Sequence, residues 1–115
     1  MNFTDKVVFV TGSSRGIGAG LIRAFAARGG RCVVNYVADA SGQNRADAET
    51  LAADIGAAMT IECDVADHEA VGRAMAAIVD QFGGIDILVN NAGILRDRTL
   101  KNMTPADFDD VVRVN

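Results

Sequence analysis

The chain has 115 residues, of which 50% are hydrophobic and 23% charged, enough for one domain spanning 1–115 around a modest core. A net charge of -4 without any basic cluster argues against nucleic acid and anionic membrane as partners. Residues 1–6 are mostly polar and no apolar run approaches the length of a membrane span, so a cytoplasmic protein is expected.

Val7 to Val10 is an all-apolar run, as in a parallel strand covered on both faces. Thr11 to Gly16 then supplies turn formers, after which Ile17, Leu21, Ile22 and Phe25 recur at helical spacing, and Arg28-Gly29-Gly30 stops the helix. Arg31 to Tyr36 reads as a second strand and Val37 to Asn44 as a polar loop. Ala48, Leu51, Ala52 and Ile55 then mark a second helix ended by Gly56. Met59 to Cys63 reads as a third strand. Asp64-Val65-Ala66-Asp67 leads into a longer helix with Val71, Met75, Ile78, Val79 and Phe82 on its apolar positions, stopped by Gly83-Gly84, with His68 exposed in its first turn. Ile85 to Val89 makes a fourth strand.

Alternating strands and helices predict an α/β, Rossmann-like, doubly wound parallel sheet of strand order 3-2-1-4. Thr104, Pro105 and Asp107 form a helix start, and Phe108, Val111 and Val112 begin a stripe that Asn115 shares. No stop signal follows, so the chain is expected to end inside a helix. The order 3-2-1-4 would leave the fourth strand as an apolar edge without a neighbour, as in the N-terminal half of a larger sheet.

Cys32 and Cys63 are expected as reduced core residues, the one starting a strand and the other ending its neighbour, roughly 10 Å or more apart and too far for a disulfide. A single histidine and the lack of Cys-x-x-Cys spacing give no support for a metal site.

A strand that feeds a helix through a glycine turn leaves the first helical N–H groups unpartnered at the positive end of the dipole, where an anion fits. Glycines at 12, 16 and 18 let the backbone bend and let a pyrophosphate approach without meeting a Cβ. The spacing Gly-x-x-x-Gly-x-Gly differs from the common Gly-x-Gly-x-x-Gly and lacks the Lys-Ser/Thr of an ATP-type loop. In doubly wound sheets the ligand lies beyond the carboxyl ends of the strands. Here these are Thr11-Gly12, Asn35-Tyr36, Cys63-Asp64-Val65 and Asn90 to Gly93.

The run Thr11-Gly12-Ser13-Ser14-Arg15-Gly16-Ile17-Gly18 resembles the cofactor loop of the short-chain dehydrogenase/reductase family, and Asn90-Asn91-Ala92-Gly93 matches a second segment of it. The run Gly93 to Met103 is most like that of 3-oxoacyl-(acyl carrier protein) and acetoacetyl-CoA reductases, and the family likeness extends over all 115 residues. The resemblance implies an NAD(P)(H)-dependent oxidoreductase, an NADPH-dependent carbonyl reductase acting on 3-oxoacyl thioesters or similar small molecules, homo-oligomeric in its full-length form. It places the cofactor against Gly12, Ser13, Ser14, Arg15, Gly16, Ile17 and Gly18, against Asp64, Val65, Asn90, Asn91, Ala92 and Gly93, and against Asn35 and Tyr36 at the ribose.

An acidic residue at the end of the second strand would favour a ribose 2′-hydroxyl. Asn35-Tyr36 with Arg15 in the loop instead suits the 2′-phosphate of NADP, with NAD the alternative and Asp39 the competing feature. Of the family's catalytic groups only Asn115 matches. The family's tyrosine and the lysine four residues on have no counterpart, because Tyr36, the single tyrosine, is followed four positions later by Ala40. The 115-residue chain is therefore expected to be inactive by itself. A non-catalytic nucleotide-binding module, or a half-protein completed by another chain, is the alternative.

Overall fold

All four residues of the first strand, β1 (Val7–Val10), are buried, and the sheet is built outward from them. The structure, a computed structural model, describes residues 2–91 and the strand backbone of 112–114. After β1 come α1 (Gly16–Ala27), β2 (Arg31–Tyr36), α2 (Gln43–Ile55), β3 (Met59–Glu62), α3 (His68–Phe82), β4 (Ile87–Val89) and β5 (Val112–Val114). The strand order is β3-β2-β1-β4-β5, and the first four strands are parallel, as the alternation of strands and helices requires.

Successive side chains of a strand point to opposite faces, and β1 divides its residues accordingly. Val8 and Val10 pack with Cys32 and Val34 of β2 against Leu21, Ile22 and Phe25 of α1 and Ala48 and Leu51 of α2. Val7 and Phe9 pack with Val33 against Ile78 of α3. The sheet is thus covered by two helices on one face and by α3 on the other. Chain order runs from β1 through β2 to β3 in one direction and resumes with β4 on the other side of β1. The reversal opens a crevice at the carboxyl ends of β1 and β4.

Several boundaries differ from the sequence reading. Helix α2 begins at Gln43 because Ser41 Oγ accepts the Gln43 N–H (3.3 Å) and Asp39 Oδ1 accepts the Asn44 N–H (3.2 Å), so the loop's polar residues serve as caps. Strand β3 ends at Glu62, although the Cys63 N–H still reaches Tyr36 O at 2.9 Å. Strand β4 starts at Ile87 rather than Ile85. The Asp86 carboxylate accepts the Val7 N–H (2.8 Å) and its own N–H donates to Val7 O (3.0 Å), so a side chain takes the place of a ladder bond.

The largest correction concerns Val112–Val114. A helix was expected to run through this stretch, and it forms β5, antiparallel to β4 with Leu88 opposite Arg113. The open edge of β4 needs N–H and C=O partners, and a Val-Arg-Val segment with two β-branched residues meets that need as a strand. The helix start at Thr104 and the position of Asn115 lie outside the described residues.

Cys32 and Cys63 are both free and buried, Cys32 near the start of β2 and Cys63 just past β3. Burial pushes the Cys32 thiol from 9.0 up to about 11. The fold favours the neutral thiol, so this contribution is fully present below pH 9.0 and is lost as pH rises toward about 11. Stability followed by denaturant midpoint is expected to fall over that window, and to fall less steeply in a Cys32→Ala variant; parallel curves would contradict the assignment.

Candidate functional site

The turn after β1 is held from below by one side chain. Asn35, fully buried near the end of β2, accepts the Gly12 N–H on Oδ1 at 2.7 Å. Its Nδ2 donates to Ile61 O and Cys63 O, each at 3.2 Å, on the neighbouring strand and just beyond it. The Gly12 donor and the two carbonyl acceptors fix which way the amide points. The Asn35 backbone adds more. Its N–H donates to Ser13 Oγ (2.8 Å), and its carbonyl accepts the N–H groups of both Ser13 and Ser14 (3.1 Å each).

The turn is fastened to β4 as well. The Thr11 N–H donates to Val89 O at 3.0 Å, the Thr11 hydroxyl donates to the same oxygen at 3.3 Å and accepts the Asn91 N–H at 3.0 Å, and Asn91 Nδ2 reaches Gly12 O at 3.4 Å. Gly18 closes the arrangement from the helix side. A Cβ there would stand 2.3 Å from Gly12 O and 2.8 Å from Asn91 Nδ2, so α1 can lie this close to the turn only without a side chain.

What this leaves open is the start of α1. The amides of Gly12, Ser13 and Ser14 are all used on Asn35, whereas those of Gly16, Ile17 and Gly18 have no partner among the described residues; Ala19 is the next to bond, to Arg15 O at 3.3 Å. Arg15, the N-cap, is extended and offers no side-chain cap, and no acidic residue lies in the first turn. The other two helices are closed by side chains. Asp67 accepts the Glu69 and Ala70 N–H groups at α3, and Ser41 and Asp39 serve α2. Gly16 has φ of +64°, a value that favours glycine, and a Cβ on it would meet nothing within 4 Å.

The residues named from sequence therefore separate by depth. Gly12, Ser13, Asn35 and Asn91 are brought together as the bonded frame; Ser14 is half-buried, and Arg15 and Gly16 stand at the surface with Ile17 behind them. Tyr36 is half-buried at the end of β2. Asp64 is exposed, with its carboxylate accepting the Ala66 N–H at 3.0 Å, while Asp67 three residues on takes the helix-capping role. Val65 and Asn90 line a pocket of about 220 Å³ on the α3 side, together with Thr11, Cys63, His68 and Val71. Ala92, Gly93 and Asn115 lie outside the described residues.

Thr11 is the residue whose role the sequence did not disclose, since only the fold reveals that one hydroxyl spans β1 and β4. Among the described residues no group of three His, Cys, Asp or Glu converges to hold a metal, and no helix is long and apolar enough to cross a membrane.

A parallel sheet with reversed strand order, and a glycine turn leading into a helix whose first amides have no partner among the described residues, make a Rossmann-like α/β fold. The chain belongs to the short chain dehydrogenase family, whose family model matches residues 6–115. It is similar to versicolorin reductase 1 of Aspergillus parasiticus, 44% identical over 114 residues that cover 96% of this chain and 42% of that protein. The 3-oxoacyl-[acyl-carrier-protein] reductase FabG of Vibrio cholerae is 37% identical over 115 residues, 100% of this chain and 45% of that one. Among solved structures, a short chain dehydrogenase from Burkholderia cenocepacia in complex with NADP superposes with a TM-score of 0.70 at 37% identity, covering 96% of this chain and 45% of that chain. The chain thus spans less than half the length of the curated relatives it matches.

Gly18→Ala is expected to destabilise the protein by about 1–3 kcal/mol through overpacking, read from the urea midpoint. Gly72→Ala on α3, where a Cβ meets nothing within 4 Å, is expected to be neutral or stabilising by about 0.5–1 kcal/mol. Equal effects would mean that Gly18 is not held against the turn.

Proposed function

We propose that the protein is an NADP(H)-dependent carbonyl reductase acting on 3-oxoacyl thioesters or similar small molecules, and that the residues described here hold the adenosine and pyrophosphate parts of the cofactor. The observation that carries the reading is the uncapped start of α1. The amides of Gly16, Ile17 and Gly18 have no partner among the described residues and a Cβ on Gly16 would meet nothing within 4 Å, while α2 and α3 have side chains on their first amides. An N-terminal cluster of free amides at the positive end of a helix favours a phosphate oxygen over water.

In this reading Gly16, Ile17 and Gly18 donate to the pyrophosphate, while Gly12, Ser13 and Asn35 keep the turn in the shape that aims them. Asp64 and Val65 at the end of β3, and Asn90 to Gly93 after β4, flank the adenine and its ribose. The nicotinamide cofactor would supply hydride to a carbonyl carbon. The chain's share is to bind and orient the cofactor, because it contains no Tyr-x-x-x-Lys that could protonate the oxygen. Asn115 is the single position that corresponds to a catalytic group of the family.

Arg15 is exposed at the edge of the turn and makes no ion pair among the described residues. Its guanidinium fork is suited to the two oxygens of a 2′-phosphate. The structural neighbour solved in complex with NADP supports this choice.

Arg15→Ala is expected to weaken NADPH binding more than tenfold while changing NADH binding by less than about threefold, measured by titration of nicotinamide fluorescence. Equal losses would remove the 2′-phosphate role. The 115-residue chain is also expected to show no NADPH oxidation with an acetoacetyl thioester, whereas steady loss of nicotinamide absorbance would show that catalysis does not need the family's tyrosine.

A further inference from the structure

The two sides of the sheet are finished differently. β3, at one edge, carries the polar residues Thr60 and Glu62, and all four of its residues are at least partly exposed. A short, polar, half-solvated strand is one way for a sheet to tolerate an open edge. β4 has the opposite character. Ile87, Leu88 and Val89 are all apolar, and Ile87 and Val89 are buried, which is the composition of a strand with neighbours on both sides.

On one side β4 pairs with β1, in parallel. On the other it is covered by β5, which runs antiparallel to it with Ile87 opposite Val114, Leu88 opposite Arg113 and Val89 opposite Val112. The Val89 carbonyl accepts the Thr11 N–H on the β1 side. Backbone groups alternate between the two sides of a strand, so the N–H and C=O of Leu88 turn toward Arg113. Without β5 this donor and acceptor would stand open on an apolar strand.

We infer that β5 is a protective strap: by occupying the edge of β4 it keeps two copies of the chain from joining β4 to β4 in one continuous sheet. A second copy offers the same Ile-Leu-Val edge, and two-fold symmetry makes such a pair antiparallel, the orientation in which β4 already accepts β5. In the joined sheet the two Leu88 residues would face each other at the axis, with Ile87 opposite Val89 on either side. The strap pairs only three residues with three, so a change within it is enough to release the edge.

Sedimentation equilibrium of the 115-residue chain tests this by comparing the wild type with Arg113→Pro, which removes the N–H opposite Leu88. A second variant, Val112→Gly with Val114→Gly, weakens the same strand at its other two positions, and far-UV circular dichroism checks that the helices persist. The wild type is expected to be a monomer, and both variants to approach twice its mass as concentration rises. The edge that joins is read by cysteine cross-linking in the Arg113→Pro background, since Cys32 and Cys63 are buried and directly opposed Cβ atoms lie about 4.5–5.5 Å apart. Mild oxidation is expected to link copies carrying Leu88→Cys and to leave copies carrying Thr60→Cys, on β3, unlinked. Folded variants that stay monomeric, a wild type as dimeric as the variants, or linkage through position 60 instead of 88 would overturn the strap. Loss of the fold in one variant leaves the other to decide; loss in both would show that β5 holds the fold together and does not guard its edge.

Discussion

The structure depends on the buried amide of Asn35. It lies where three strands' worth of backbone meet: its own strand β2, the end of β3 through Ile61 O and Cys63 O, and the turn after β1 through the Gly12 N–H. A buried amide left without partners costs on the order of 1–3 kcal/mol, and here donor and acceptor are both engaged. Ser13 contributes from the other side, fully buried, with its hydroxyl accepting the Asn35 N–H. A loop rich in glycine and serine would otherwise sample many shapes, and these bonds select one of them.

That selection has a consequence one residue further along. Asn35 takes the amides of residues 12 to 14, the chain turns through Gly16 with φ of +64°, and the amides of Gly16, Ile17 and Gly18 are left without partners among the described residues. Gly18 lets α1 press against Gly12 O and Asn91, so the helix axis is fixed relative to the carboxyl ends of β1 and β4. The positive end of the helix and the topological reversal then coincide. Neither feature alone would make a nucleotide site, since many helices start with free amides and many sheets have open crevices.

Much of this could be read from the sequence, because the dominant signals were local. Runs such as Val7–Val10 and the periodic apolar residues of α1 and α3 specify strand or helix by themselves, and the strand order followed from their alternation. What stayed hidden depended on contacts distant along the chain. Asn35 read as a ligand contact because it ends a strand at the expected ribose position; its partners Gly12 and Cys63 lie 23 and 28 residues away and are visible only in the fold. The early start of α2 came from side-chain caps within a stretch that reads as loop. Val112–Val114 pairs with β4 although its spacing suits a helix, because an open sheet edge outweighs a weak periodicity.

The central claim is that the amides opening α1 grip the cofactor's diphosphate, and amide proton–nitrogen NMR with added NADPH tests it most directly. The account predicts saturable shifts at Gly16, Ile17 and Gly18, with Glu69 and Ala70 at the capped start of α3 unmoved by direct contact. Shifts absent from the α1 amides while others titrate would contradict it.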